Sequence, residues 1–225
     1  MKKQFAILWV LCLIGTVAVL PLIQALANTQ LQTKFYIYSL LQATVLYAFV
    51  IYVGLKLTLS IKFEVGNLQL IKKEIFHDLV IAIILAFTIY ILDKYVFKLH
   101  EFITFPNPPL WQKIVASLYG AINEEVLMRM FLVSLLIKVF YMLFKPISSK
   151  NFFICLSIVL SAIAFGAGHL PAMAKISELT PLAISRTFIL NGLGGIVFGW
   201  LYWRKSLANA MVAHGCTDII LAFLP

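Results

Sequence analysis

Apolar residues run along this chain in blocks of about twenty, divided by short polar or basic stretches. Crossing the hydrocarbon core of a bilayer takes about 20 mostly apolar residues. On that ruler seven runs read as spanning helices, at roughly 5–27, 35–59, 79–99, 113–144, 152–169, 182–203 and 207–224. The fourth is long enough to be tilted or broken. Backbone groups in hydrocarbon must satisfy one another, and these runs are too long for barrel strands. The pattern therefore predicts an all-α polytopic transmembrane bundle of about seven to eight spans. There is no internal repeat, so residues 1–225 read as one integral membrane domain. Within it, 1–78 hold two N-terminal spans and their connection, and 79–225 the part that carries chemistry. The polar segment Ile61–Asp78 is expected to be a connecting loop or surface helix.

Composition sharpens this reading. Of 225 residues 62% are apolar and 12% charged, and the mean hydropathy is +0.98, where a soluble domain has about 45–50% and a quarter. A soluble globule, a disordered chain and a disulfide scaffold are excluded. Cys12, Cys155 and Cys216 each lie inside an apolar run and read as small hydrophobes. The net charge of +9 is scattered between the runs instead of forming a basic stripe, so it argues for topology and against nucleic acid. With the amino terminus in the cytoplasm, inner flanks hold Lys2, Lys3, Lys56, Lys62, Lys72, Lys73, Lys138, Lys145, Lys150, Arg204 and Lys205. Outer flanks hold six basic residues, Lys34, Lys94, Lys98, Lys113, Lys175 and Arg186. The excess inside predicts N-in and C-out. Lys2-Lys3, the stretch Phe5 to Leu20 and Ala25-Leu26-Ala27 have the layout of a signal peptide. The apolar stretch outruns most signal cores and continues past Pro21, so this segment is read as an uncleaved first span.

Charge inside an apolar span costs about 2.5–3.5 kcal/mol at the bilayer centre, so chemistry is sought where it occurs. The fourth span contains Glu124, Glu125 and Arg129, the fifth His169, and the seventh His214 and Asp218. Glu125 and Arg129 are four apart and share a helix face, so they can pair. Glu124 points about 100° away, free to face an interior cavity. Gly166 and Gly168 flank His169 and leave room for backbone or substrate, while Gly192, Gly194 and Gly195 in the sixth span suit close helix packing. His214 and Asp218 again share a face. If these spans are neighbours, a carboxylate and an imidazole can activate water while other polar groups stabilise an oxyanion. Arg186 is expected to snorkel to the interface and Asn191 to extend the polar network.

The set Glu124-Glu125-x-x-x-Arg129, Phe165-x-x-x-His169 and His214-x-x-x-Asp218 resembles the motifs of the CAAX prenyl protease and bacteriocin-processing (CPBP, or Abi) intramembrane proteases. The resemblance covers about residues 80–225. It implies an intramembrane endopeptidase acting on a peptide or a membrane-associated or lipidated protein in the bilayer, with roles in CAAX processing, bacteriocin processing or self-immunity. It makes Glu124 and His169 the activators of the attacking water, and His214 and Asp218 the oxyanion site. Glu125 and Arg129 then orient Glu124, and Phe165 is a packing residue. The family's prenyl-protein branch has Asn where this chain has Asp218. An ionised Asp only accepts hydrogen bonds, so it must be protonated or must act by orienting His214.

No cofactor is required on this reading. Zinc on Glu124, His169 and His214 is the second choice, because the chain lacks H-E-x-x-H and a metal would draw on three separate spans. The rival functions are a proton-coupled or small-solute transporter, with His214 and Asp218 as relay, and an inert immunity or chaperone protein.

Overall fold

The computed structural model describes residues 1–225 except 28, 29, 31, 67, 145–149 and 225, so the basic flank residue Lys145 lies outside the described residues. Seven helices follow one another, with no strand among the described residues: α1 (Lys2–Ala27), α2 (Thr33–Ser60), α3 (Gln69–Phe97), α4 (Leu110–Leu143), α5 (Lys150–Met173), α6 (Pro181–Arg204) and α7 (Leu207–Phe223). The first six are long and apolar enough to cross a membrane, and α7 is the shortest at 17 residues. Their outward faces are apolar, with Val45, Phe49, Ile84 and Ile163 all exposed. In water such a surface would aggregate; against acyl chains it is matched. The chain is an integral, multi-pass membrane protein.

Helix α4 is the hub, packed against α1, α2, α5, α6 and α7. It is one helix of 34 residues, tightened nowhere by a break but widened twice into π turns, at Tyr119–Glu124 and Val126–Val133. Such widened turns leave backbone groups imperfectly paired and occur often at functional sites. Buried hydroxyls join its C-terminal half to two neighbours. Tyr202 Oη of α6 lies 2.8 Å from Thr58 Oγ1 of α2 and 2.7 Å from Ser134 Oγ of α4. In hydrocarbon an unmade hydrogen bond has no solvent to replace it, so these contacts fix the packing.

Of the two readings of the polar segment, loop or surface helix, residues 69–78 take the helical one and are continuous with α3, which thus begins ten residues before the expected span start at 79. The reason is that its polar residues are solvated or paired. Lys72, Lys73 and His77 are exposed, while the fully buried Asp78 accepts hydrogen bonds from Lys205 Nζ at 3.0 Å and Asn209 Nδ2 at 2.5 Å. Likewise α5 does not stop at His169 but runs through Pro171 to Met173.

The foot of α7 is held from both sides. The carbonyls of Glu64 and Val65 accept from the N–H groups of Leu207 and Ala208, both at 3.0 Å. These satisfy donors that a helix start would leave bare. Ser206 caps the same turn by accepting from Asn209 N at 3.2 Å. Gly66 takes φ +98°, and any Cβ there would sit 2.6 Å from Ser206 Oγ, so conformation and space both demand glycine.

Candidate active site

At the end of the bundle where α1, α3, α5 and α7 terminate, a cavity of about 620 Å³ is lined by parts of six helices. Its polar lining includes Glu124, His169, Asn191, His214 and Asp218. Sequence reading singled out each of these, and the structure brings them together.

Glu124 sits at the last position of the first π segment and its carboxylate enters the cavity, with its side chain 22% exposed. Oε1 lies 3.9 Å from His169 Nε2, and Oε2 lies 3.8 Å from His214 Nε2. These gaps are too wide for direct hydrogen bonds and fit a bridging water. The ring of His169 is fixed by Nδ1, which lies 2.8 Å from the carbonyl oxygen of Phe165. A carbonyl accepts only, so Nδ1 donates to it and Nε2 is the nitrogen turned toward Glu124. Phe165 lies beneath this ring edge-on, 4.6 Å between centroids.

Glu125 is fully buried, one residue on and turned away from the cavity. It does more than pair with Arg129. Its Oε1 lies 2.7 Å from His214 Nδ1, while Oε2 lies 3.2 Å from Arg129 Nε as an ion pair without hydrogen-bond alignment. Arg129, 1% exposed, is clasped between the Phe165 and Phe198 rings, 4.9 and 5.5 Å from its guanidinium carbon, and its Nη2 reaches the Gly195 carbonyl at 3.5 Å. Aromatic faces offset part of the cost of desolvating a cation. Phe198 also stacks on His214 at 4.4 Å. His214 is thus held through Nδ1 and through its face, and only Nε2 is left for the cavity.

Asp218 Oδ2 lies 3.5 Å from that same Nε2. It therefore stands beside the nitrogen that faces the cavity, and the orienting bond to the ring comes from Glu125. The approach of α4 to this pair depends on Gly120, where a Cβ would lie 2.6 Å from Asp218 Oδ2 and 3.1 Å from His214 Nε2. Gly195 meets the Ala162 backbone in the close packing of α5 and α6. Gly166, by contrast, presses on the Phe188 backbone instead of opening space for a substrate, and Gly168 and Gly192 have nothing within 4 Å.

Arg186 does not snorkel free. Its Nε and Nη2 grip Asp93 of α3 at 2.6 and 2.5 Å, at the cavity wall. Asn191 faces the cavity and donates to the Thr187 carbonyl at 2.8 Å. Asn123, missed in the sequence, is fully buried beside Glu124 and donates to the Cys12 carbonyl at 2.9 Å and to Thr16 Oγ1 at 3.1 Å, tying α4 to α1. Its only sequence signal was an amide inside an apolar span. Among the described residues, no group of three or more His, Cys, Asp or Glu side chains is arranged to hold a metal ion.

No curated protein and no solved structure matches the chain. Residues 106–220 match the model of the family described as Type II CAAX prenyl endopeptidase Rce1-like. That stretch is more than half of the chain and contains Glu124, His169, His214 and Asp218. With an all-helical membrane bundle and these side chains around one cavity, the chain belongs to the Rce1-like family of type II CAAX prenyl endopeptidases, which are intramembrane proteases.

Proposed function

We propose that this protein is a glutamate-type endopeptidase that hydrolyses a peptide bond of a membrane-associated or lipidated polypeptide with a water held between Glu124 and His169. The observation that carries the proposal is the Glu124 carboxylate set between two imidazole nitrogens, at 3.9 and 3.8 Å, in one cavity. Glu124 takes a proton from the water, oriented by His169 Nε2, and the water oxygen bonds to the scissile carbonyl carbon. His214, protonated on both nitrogens, donates Nδ1–H to Glu125 and Nε2–H to the oxyanion that forms. Protonated Asp218 supplies a second donor beside it. The C–N bond then breaks, the amine leaves with the proton held by Glu124, and a carboxylic acid remains.

The test is cleavage of prenylated-tail and bacteriocin-type peptides by the purified protein in liposomes. Glu124→Gln, His169→Ala and His214→Ala should each lower turnover about 10²–10⁴-fold, the range of a general base or oxyanion donor. Glu124→Gln and His169→Ala should keep the parent's melting profile in detergent, whereas His214→Ala also deprives the buried Glu125 of a partner and should lower it. Turnover unchanged by a strong chelator, with no zinc by elemental analysis of active protein, is the outcome expected of the metal-free route. Full activity in Glu124→Gln, or solute flux without a product peptide, would refute the reading.

A further inference from the structure

The end of the bundle at which the cavity opens identifies the side of the membrane from which it is served. The cavity is lined by the last turns of α1, α3, α5 and α7 and the first halves of α4 and α6. Asp218 lies five residues before the end of α7 and His169 four before the end of α5, so both are about 6–8 Å from that end at 1.5 Å per residue. The active groups are therefore shallow, within two helical turns of one interface. The starts of α1, α3, α5 and α7 form the opposite end.

Basic residues are divided unequally between these ends. The cavity end carries six, Lys34, Lys94, Lys98, Lys113, Lys175 and Arg186. The opposite end carries ten described basic residues, among them the pairs Lys2-Lys3, Lys72-Lys73 and Arg204-Lys205, and Lys145 belongs to the same flank in sequence. Lysine and arginine are retained on the cytoplasmic side in short loops such as these. We propose that the cavity opens to the non-cytoplasmic side, and that its substrate is a polypeptide presented there: an exported peptide, or the outer juxtamembrane segment of an anchored protein. The substrate class rests on the protease reading above; the orientation does not.

The experiment separates the two. Thr104 lies exposed in the connection between α3 and α4 at the cavity end, and Ser60 is exposed at the opposite end. Thr104→Cys and Ser60→Cys leave the charge balance untouched. Each is exposed on intact cells to a membrane-impermeant maleimide, with the parent chain as blank, and a carboxyl-terminal epitope is challenged with protease added outside. Thr104→Cys labelled from outside, Ser60→Cys labelled only after permeabilisation, and the epitope digested support the orientation. The reverse labelling overturns it whatever the catalytic result. Right-side-out vesicles should then cut an impermeant mixture of unstructured fluorogenic peptides, and Glu124→Gln vesicles should not. Cutting by sealed inverted vesicles alone overturns the proposal. Outside labelling with no peptide cut in either geometry upholds the orientation and removes the protease reading instead.

Discussion

Glu125 and Arg129 show how tightly stability and chemistry are coupled in single side chains. Both are withdrawn from solvent, and Glu125 serves Arg129 with one oxygen and His214 with the other. Removing one member of a buried pair leaves a charge without its counterpart, at a cost of about 3–5 kcal/mol, whereas an apolar replacement of both is often nearly neutral. Arg129→Met and Glu125→Leu should each lower the melting temperature in detergent, and the double variant should regain part of the loss, the remainder being the His214 bond that Glu125 no longer makes. Turnover of the double variant should stay low, because His214 Nδ1 has lost its acceptor. A double variant as unstable as the singles would show that the pair is not coupled in this way. The sequence made Arg129's partner legible, since a spacing of four on one helix depends on nothing else. It could not show the Glu125–His214 bond or the Arg186–Asp93 grip. Those depend on the rotation of two helices about their own axes, which a pattern of apolar runs does not specify.

At the level of elements, the π turn that ends at Glu124 begins where α4 meets α1. Asn123 converts that contact into a defined register through two hydrogen bonds, and a Cβ on Gly15 of α1 would overlap the Asn123 side chain. Each such neutral hydrogen bond contributes about 0.5–1.5 kcal/mol. Asn123→Ala should therefore cost about 1–3 kcal/mol in stability and lower kcat about tenfold at nearly constant KM, since it shifts the base and not the substrate surface. Steady-state kinetics in liposomes decide this; a change confined to KM would assign Asn123 to binding. The number and class of the helices were legible because twenty-residue apolar runs admit few other structures. The start of α3 was not. A helix that projects from the membrane into water is as polar as a loop, and the partners that let Asp78 be buried, Lys205 and Asn209, come from more than 120 residues away.

For the whole molecule, the seventeen residues of α7 make it about 25 Å long, against a hydrocarbon core of about 30 Å. Its foot is fastened by the Glu64 and Val65 carbonyls and by Asp78, so the deficit falls at the other end, where Asp218 stands. Lipids beside that end must dimple inward to cover so short a rod, at a fraction of a kcal/mol per ångström. The local film is thereby thinned, and headgroup water is drawn toward carboxyl and imidazole groups that would otherwise be sealed in oil. Turnover should rise in vesicles of fourteen-carbon acyl chains and fall in those of twenty-two, at equal protein incorporation. An enzyme of this build would be regulated by the thickness of its host membrane as well as by the polypeptides it meets there.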